Sequence, residues 1–160
     1  MYSALKLLHV LSAIWLLAGL LARPTLLAAA RRAPDVRILK AITDVNGRLE
    51  DRMIALGFPA VIVTGVATAV AGDYSFFGPF SNGPWWIFLS ILIMALIVVG
   101  TPRMFAHDRR WGQAIDDSAR AGVITDQLRP FLERNAMIRR YAPDMVSVLV
   151  IVVLMVAKPF

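Results

Sequence analysis

Sixteen consecutive residues, from Leu7 to Ala22, carry no formal charge, and one histidine lies among them. With residues 3–5 the apolar run reaches the ~20 residues that a helix needs to cross a bilayer, so the stretch predicts a membrane-spanning helix over residues 3–22. A charged side chain inside such a helix costs roughly 2.5 kcal/mol or more, so an ionisable group there faces protein or water rather than lipid. His9, Ser12, Leu16, Gly19 and Arg23 recur at intervals of three or four, which lays them on one helical face. That face combines an imidazole, a hydroxyl and a glycine that admits a close neighbour.

Three further apolar stretches, at about 53–71, 85–101 and 142–157, extend the pattern to the rest of the chain. The expectation is an all-α fold, a four-helix transmembrane bundle forming a single domain. At 58% hydrophobic residues, the chain is too apolar for an ordinary soluble domain. The absence of cysteine excludes disulfides, thiolate metal sites and a cysteine nucleophile.

Apart from Lys6 and Lys158, every basic residue falls within residues 23–52 or 103–141, and the connection 72–84 has none. The positive-inside rule therefore puts those two segments in the cytoplasm and both termini outside. The net charge of +6 reads as a topology signal, not as a nucleic-acid surface. The expected setting is the cell's inner (plasma) membrane, crossed several times, with the lipid bilayer, a homodimer or a larger membrane complex as partner. Ala28-Ala29-Ala30 looks like a signal-peptide cleavage site, but the basic residues follow the first apolar stretch instead of preceding it, so the helix is expected to be retained.

Ile38, Ile42, Val45, Leu49, Met53 and Leu56 recur at helical spacing with no strong breaker before the second apolar stretch. They predict one long helix over residues 34–71, extended into the cytoplasm by its first half and kinked at Pro59. Gly57, Ala60, Thr64, Ala67, Thr68 and Ala71 give its membrane half a small-residue face. The aromatic residues Tyr74, Phe76, Phe77, Phe80, Trp85 and Trp86 read as an interfacial belt. The third span is expected to stop at Pro102 and Arg103, with Ser90 and Met94 its only candidates for chemistry. Beyond it, Phe105, Trp111 and Ile115 suit an interfacial helix, Thr125 a cap, and Pro130 the first turn of a helix ending near Tyr141. The uncharged core of the fourth span, Met145 to Ala157, has only thirteen residues and must borrow a turn or thin the bilayer.

Two histidines exist, and the predicted topology separates them by the bilayer, so they do not share a centre within one chain. His107 lies in Ala106-His107-Asp108-Arg109-Arg110, read as a headgroup-facing charged loop. His9 is either a cofactor ligand or a buried histidine bonded to a hydroxyl such as Thr64 or Thr68. Arg23 and Asp144 both lie near the inner surface, where they either pair or are solvated separately. Phosphate loops, paired-carboxylate sites, metal clusters and nucleophile elbows are missing.

Lys6-Leu7-Leu8-His9 opening an Ile-Trp-Leu-Leu-Ala-Gly span resembles the first helix of the HemJ-type four-helix protoporphyrinogen oxidases. Glu50-Asp51-Arg52-Met53 leading to Pro59-Ala60 and Thr64-Gly65, and the closing Lys158-Pro159-Phe160, resemble the same family. An uncharacterised family of predicted bacterial integral-membrane proteins, related to those oxidases, is the nearer resemblance. The resemblance to the oxidases implies haem b as cofactor and His9 as its iron ligand. Where the oxidases carry a lysine early in the third span, this chain reads Trp86-Ile87-Phe88-Leu89-Ser90. The resemblance therefore carries haem binding and a redox role further than it carries porphyrinogen oxidation.

Depth along the helices suggests a second ligand. At 1.5 Å rise per residue, His9 and Met155 lie about 9 Å and 7 Å below their outer helix ends, and imidazole–thioether pairing is known for haem. Alternatively, Met155 fills a gap in an apolar helix, or His9 of a second chain is the partner ligand. The rival functional class is a non-enzymatic structural or accessory subunit of a larger membrane complex.

Overall fold

The computed structural model describes residues 1–77, 80 and 84–158, leaving aside the side chains of 101, 103–105 and 134–140. Among the described residues the fold is helical throughout, with no strand. The elements are α1 (Tyr2–Arg31), α2 (Val36–Leu49), a π-helical turn (Glu50–Ile54), α3 (Ala55–Ala71), α4 (Trp85–Ala121), a 3₁₀ turn (Arg129–Leu132) and α5 (Arg134–Ala157). Two helical stretches, Tyr2–Arg31 and Val36–Ala71, are long and apolar enough to cross a membrane, and Trp85–Gly100 and Tyr141–Ala157 are shorter apolar helices.

The long second helix predicted over residues 34–71 is present. Asp35 caps it, its carboxylate accepting the Ile38 N–H at 2.9 Å, which satisfies one of the free donors of the first turn. Helices α1 and α4 run further than expected. Each continues through its proline, Pro24 or Pro102, because a helix braced by neighbours can re-satisfy the carbonyl that proline leaves free. Helix α4 ends instead at Gly122, whose φ of +71° is the left-handed conformation that suits glycine. Helix α5 starts at Arg134 and passes through Pro143, so the short apolar core of the fourth stretch does borrow helical turns before it.

Helices α1 and α3 lie antiparallel in close contact, through a register visible at four levels. Gly19 meets Met53 and Ile54, Trp15 and Leu16 meet Gly57, His9 meets Gly65, and Tyr2 meets Gly72. A Cβ built on Gly19 would lie 2.7 Å from the Met53 Cβ, so the approach depends on the missing side chain. The small-residue reading of α3 is thus correct in kind, with Gly57 and Gly65 at the contacts.

Two apolar clusters close the ends. At the aromatic end Trp86, Ile87 and Leu154 are buried, with Tyr74, Phe76, Ile93 and Met155 packed on them. Trp86 and its neighbours are therefore core residues, while Phe77, Phe80 and Trp85 stay exposed as a belt would. At the basic end Leu39, Ala114, Ile115 and Leu128 form a core lined by Trp111 and Phe131. Ile115 and Trp111 face this protein core instead of an interface with lipid. The Ser118 and Thr125 hydroxyls lie 2.7 Å apart and the Thr125 N–H reaches Ser118 Oγ, which folds the chain after α4 back over that core. The Phe105 side chain lies outside the described residues.

The Gly19 contact is a stringent one. Gly19→Ala should destabilise the bundle by about 1–3 kcal/mol through overpacking, whereas Gly100→Ala, with nothing within 4 Å of its Cβ, should leave stability level or raise it. Thermal unfolding in detergent measures both.

Candidate functional site

His9 faces α3. Its Nδ1 lies 3.2 Å from Thr64 Oγ1, one of the two hydroxyl partners expected for it. Thr64 donates its own proton to the Ala60 carbonyl at 2.6 Å, so its oxygen is left to accept from Nδ1–H. In the tautomer that this contact suits, Nδ1 carries the proton and Nε2 the lone pair. A Cβ on Gly65 would lie 3.0 Å from His9 Cε1, so the ring packs close against α3. An imidazole oriented through one nitrogen is the form in which histidine binds metals through the other.

Among the described residues, no group of three or more His, Asp or Glu could hold a bare metal ion. One donor suits a metal that brings its own equatorial ligands, as haem iron does. The donor set at His9 fits such a group on one side. Met155 packs with Trp86, Ile87 and Leu154, so its described neighbours belong to α4, α5 and the loop after α3, whereas those of His9 belong to α3. Ser90 donates to the Trp86 carbonyl at 2.7 Å and is fully engaged in its own helix.

A second polar centre lies at the basic end. Arg23, only 5% exposed, places Nε 2.8 Å from Glu50 Oε1 and donates from Nη2 to Asp108 Oδ2 at 3.1 Å. Its guanidinium carbon sits 4.0 Å from the Tyr141 ring centroid, a cation–π contact. Asn46 donates from Nδ2 to Glu50, and its buried Oδ1 has no hydrogen-bond partner. Helices α1, α4 and α5 and the π turn thus meet on one guanidinium, and α2 joins them through Asn46 on Glu50. Burial pushes the Glu50 carboxyl above the usual range, against the opposing pull of Arg23 and Asn46, and likewise raises the Tyr141 phenol.

This centre corrects two expectations. Arg23 pairs with Glu50 and Asp108, not Asp144. His107 is not in a headgroup-facing loop: it lies within α4, its ring edge-on to Phe131 at 5.2 Å and its Nδ1 3.6 Å from Asp108 Oδ1. The missed signal lay one position from the apolar stripe of α2. Val36, Leu39 and Asn46 are the buried residues of that helix, and Glu50 continues their spacing. Ile38 and Val45, on the more apolar stripe, are 43% exposed.

Removing the cation would strand two largely buried carboxylates. Arg23→Gln should cost about 3 kcal/mol or more of stability, and Arg23→Lys should recover only part of it, because an ammonium cannot reproduce the guanidinium fork. Thermal unfolding of the two variants gives the comparison.

No curated protein and no solved structure matches the chain. A family model does, over residues 3–159, and its description is a predicted integral membrane protein. Nearly the whole chain is covered, so this is a member of the DUF2269 family of predicted integral membrane proteins.

Proposed function

We propose that this protein is a four-span, multi-pass protein of the cell's plasma membrane that binds haem b through His9 and serves a redox role. The observation that carries the reading is the contact of Thr64 Oγ1 with His9 Nδ1, which would hold the ring through that nitrogen and offer Nε2 as the donor atom. A bound haem b would supply one-electron chemistry. The chain's own part is to bind and orient: Thr64 sets the imidazole, and Gly65 allows the ring to lie close against α3. The resemblance of the first two spans to the HemJ-type oxidases supports the same ligand. Both termini are placed outside and the Arg23 end in the cytoplasm, on the strength of the basic residues gathered at that end. The bilayer is the immediate partner, and a homodimer sharing His9 is one way to complete the iron's coordination.

Three measurements test this. His9→Ala should abolish haem binding with insertion intact, since alanine favours a helical span, and Thr64→Val should weaken binding by about 10–100-fold as loss of an orienting partner does. Stable insertion without a Soret band in the unmodified protein would instead favour an accessory subunit of a membrane complex. Met155→Leu should lower the midpoint potential and remove the thioether absorption if methionine is the second ligand. An unchanged spectrum would leave a histidine dimer or five-coordinate iron.

The orientation has its own test in this cysteine-free chain. Phe77→Cys and Arg120→Cys, both at well exposed side chains, should label from opposite sides of the membrane, Phe77→Cys from outside. Labelling of Arg120→Cys by an impermeant reagent in intact cells would reverse the topology.

A further inference from the structure

The charges at the basic end do not balance. Arg23 contributes one positive charge, and Glu50 and Asp108 contribute two negative ones within 3.1 Å of it. Desolvated ions that are not matched one to one are costly, and a carboxylate is the group that can shed the excess by taking a proton. The two carboxylates are not equivalent. Asp108 receives a directed hydrogen bond from Arg23 Nη2. Glu50 lies close to Nε, yet Nε has no hydrogen-bond partner, so that contact is out of line.

Glu50 also has a partner suited to either protonation state. The Asn46 amide donates to the carboxylate from Nδ2, and its orphan Oδ1 is a buried acceptor with nothing to accept. Turning the amide by 180° would exchange the two atoms and let Oδ1 accept from a carboxylic acid O–H. The charged and titratable groups that bear on Glu50 include Arg23 from α1, Asp51 from its own turn, Asp108 from α4 and Tyr141 from α5. His107 reaches it only through Asp108, and Tyr141 of α5 lies against Arg23. The chain widens at this point as well: the Ala55 N–H bonds to the Glu50 carbonyl in a π turn, and such turns recur at functional sites.

We propose that Glu50 is a reversible proton-binding site at the basic end of the bundle. A proton from solvent bonds to a Glu50 oxygen, the Asn46 amide turns to accept it, and Arg23 remains paired with Asp108 alone. The cluster passes from one net negative charge to none, and no electron moves. The site is independent of His9 and stands whether or not haem is bound.

The test is pH-titrated infrared difference spectroscopy on the intact protein in detergent or nanodiscs, scored for a protonated-carboxyl C=O band. The band should titrate above the ordinary glutamate value of about 4.3 and be absent from Glu50→Gln. In Asp108→Asn, Glu50 would face Arg23 without a competitor, so the midpoint should fall by about one pH unit or more. A spectrum without such a band, or a band that survives in Glu50→Gln, would overturn the assignment. If Glu50→Gln does not fold, Asp108→Asn decides alone: a midpoint that stays or rises excludes it.

Discussion

One guanidinium holds the basic end together. Arg23 sits on a helix that approaches its neighbour through glycine, and it reaches out to the π turn, α4 and α5 at once. Each of these elements supplies a group that would be costly to bury alone. Their convergence therefore locks relative positions that apolar packing would leave free to slide. Where helices are surrounded by lipid, the hydrophobic effect supplies little reason to associate, and close packing with a few directed polar contacts takes its place. The protein divides these tasks along its length, with glycine contacts running up α1 and α3 and an ion cluster at one end.

Much of the helical plan was legible from the chain because charge and hydropathy mark it directly. The run around His9 and the continuous helix from Asp35 to Ala71 are of this kind. The misreadings have a common cause. Pro24 and Pro102 are strong breakers in isolation, but in this bundle the helix passes through both, because neighbouring helices brace the turn. On α2, the apolar periodicity marks the helix but not its buried side, since Ile38 and Val45 are outward. In a membrane-associated helix the inward side can be the more polar one, and here it carries Asn46 and Glu50.

The two polar centres differed in legibility for a related reason. An imidazole and a threonine on two facing apolar helices have few alternatives, so Thr64 and Thr68 were the hydroxyls to expect beside His9, and Thr64 is the one in contact. Arg23 had a choice of acids near one membrane surface. Whether it took Asp108 or Asp144 depended on α4 continuing past Pro102, since only then does Asp108 come within reach of α1. One mistaken helix end thus displaced both a salt bridge and the surroundings of His107.

The π turn between α2 and α3 has a consequence for how the chain tolerates change. A single residue more or less in a helix rotates everything beyond it by about 100°. Glu50–Ile54 accommodates such an offset, which lets the polar stripe beneath it and the threonine-bearing stripe above it be aimed separately within one unbroken rod. Deleting one residue there would return the turn to regular α-helix and keep both Thr64 against His9 and Glu50 near Arg23, whereas the same deletion in regular helix would rotate one centre away from its partner. The turn is a phase joint: it takes up a residue gained or lost without turning either centre away from its partner.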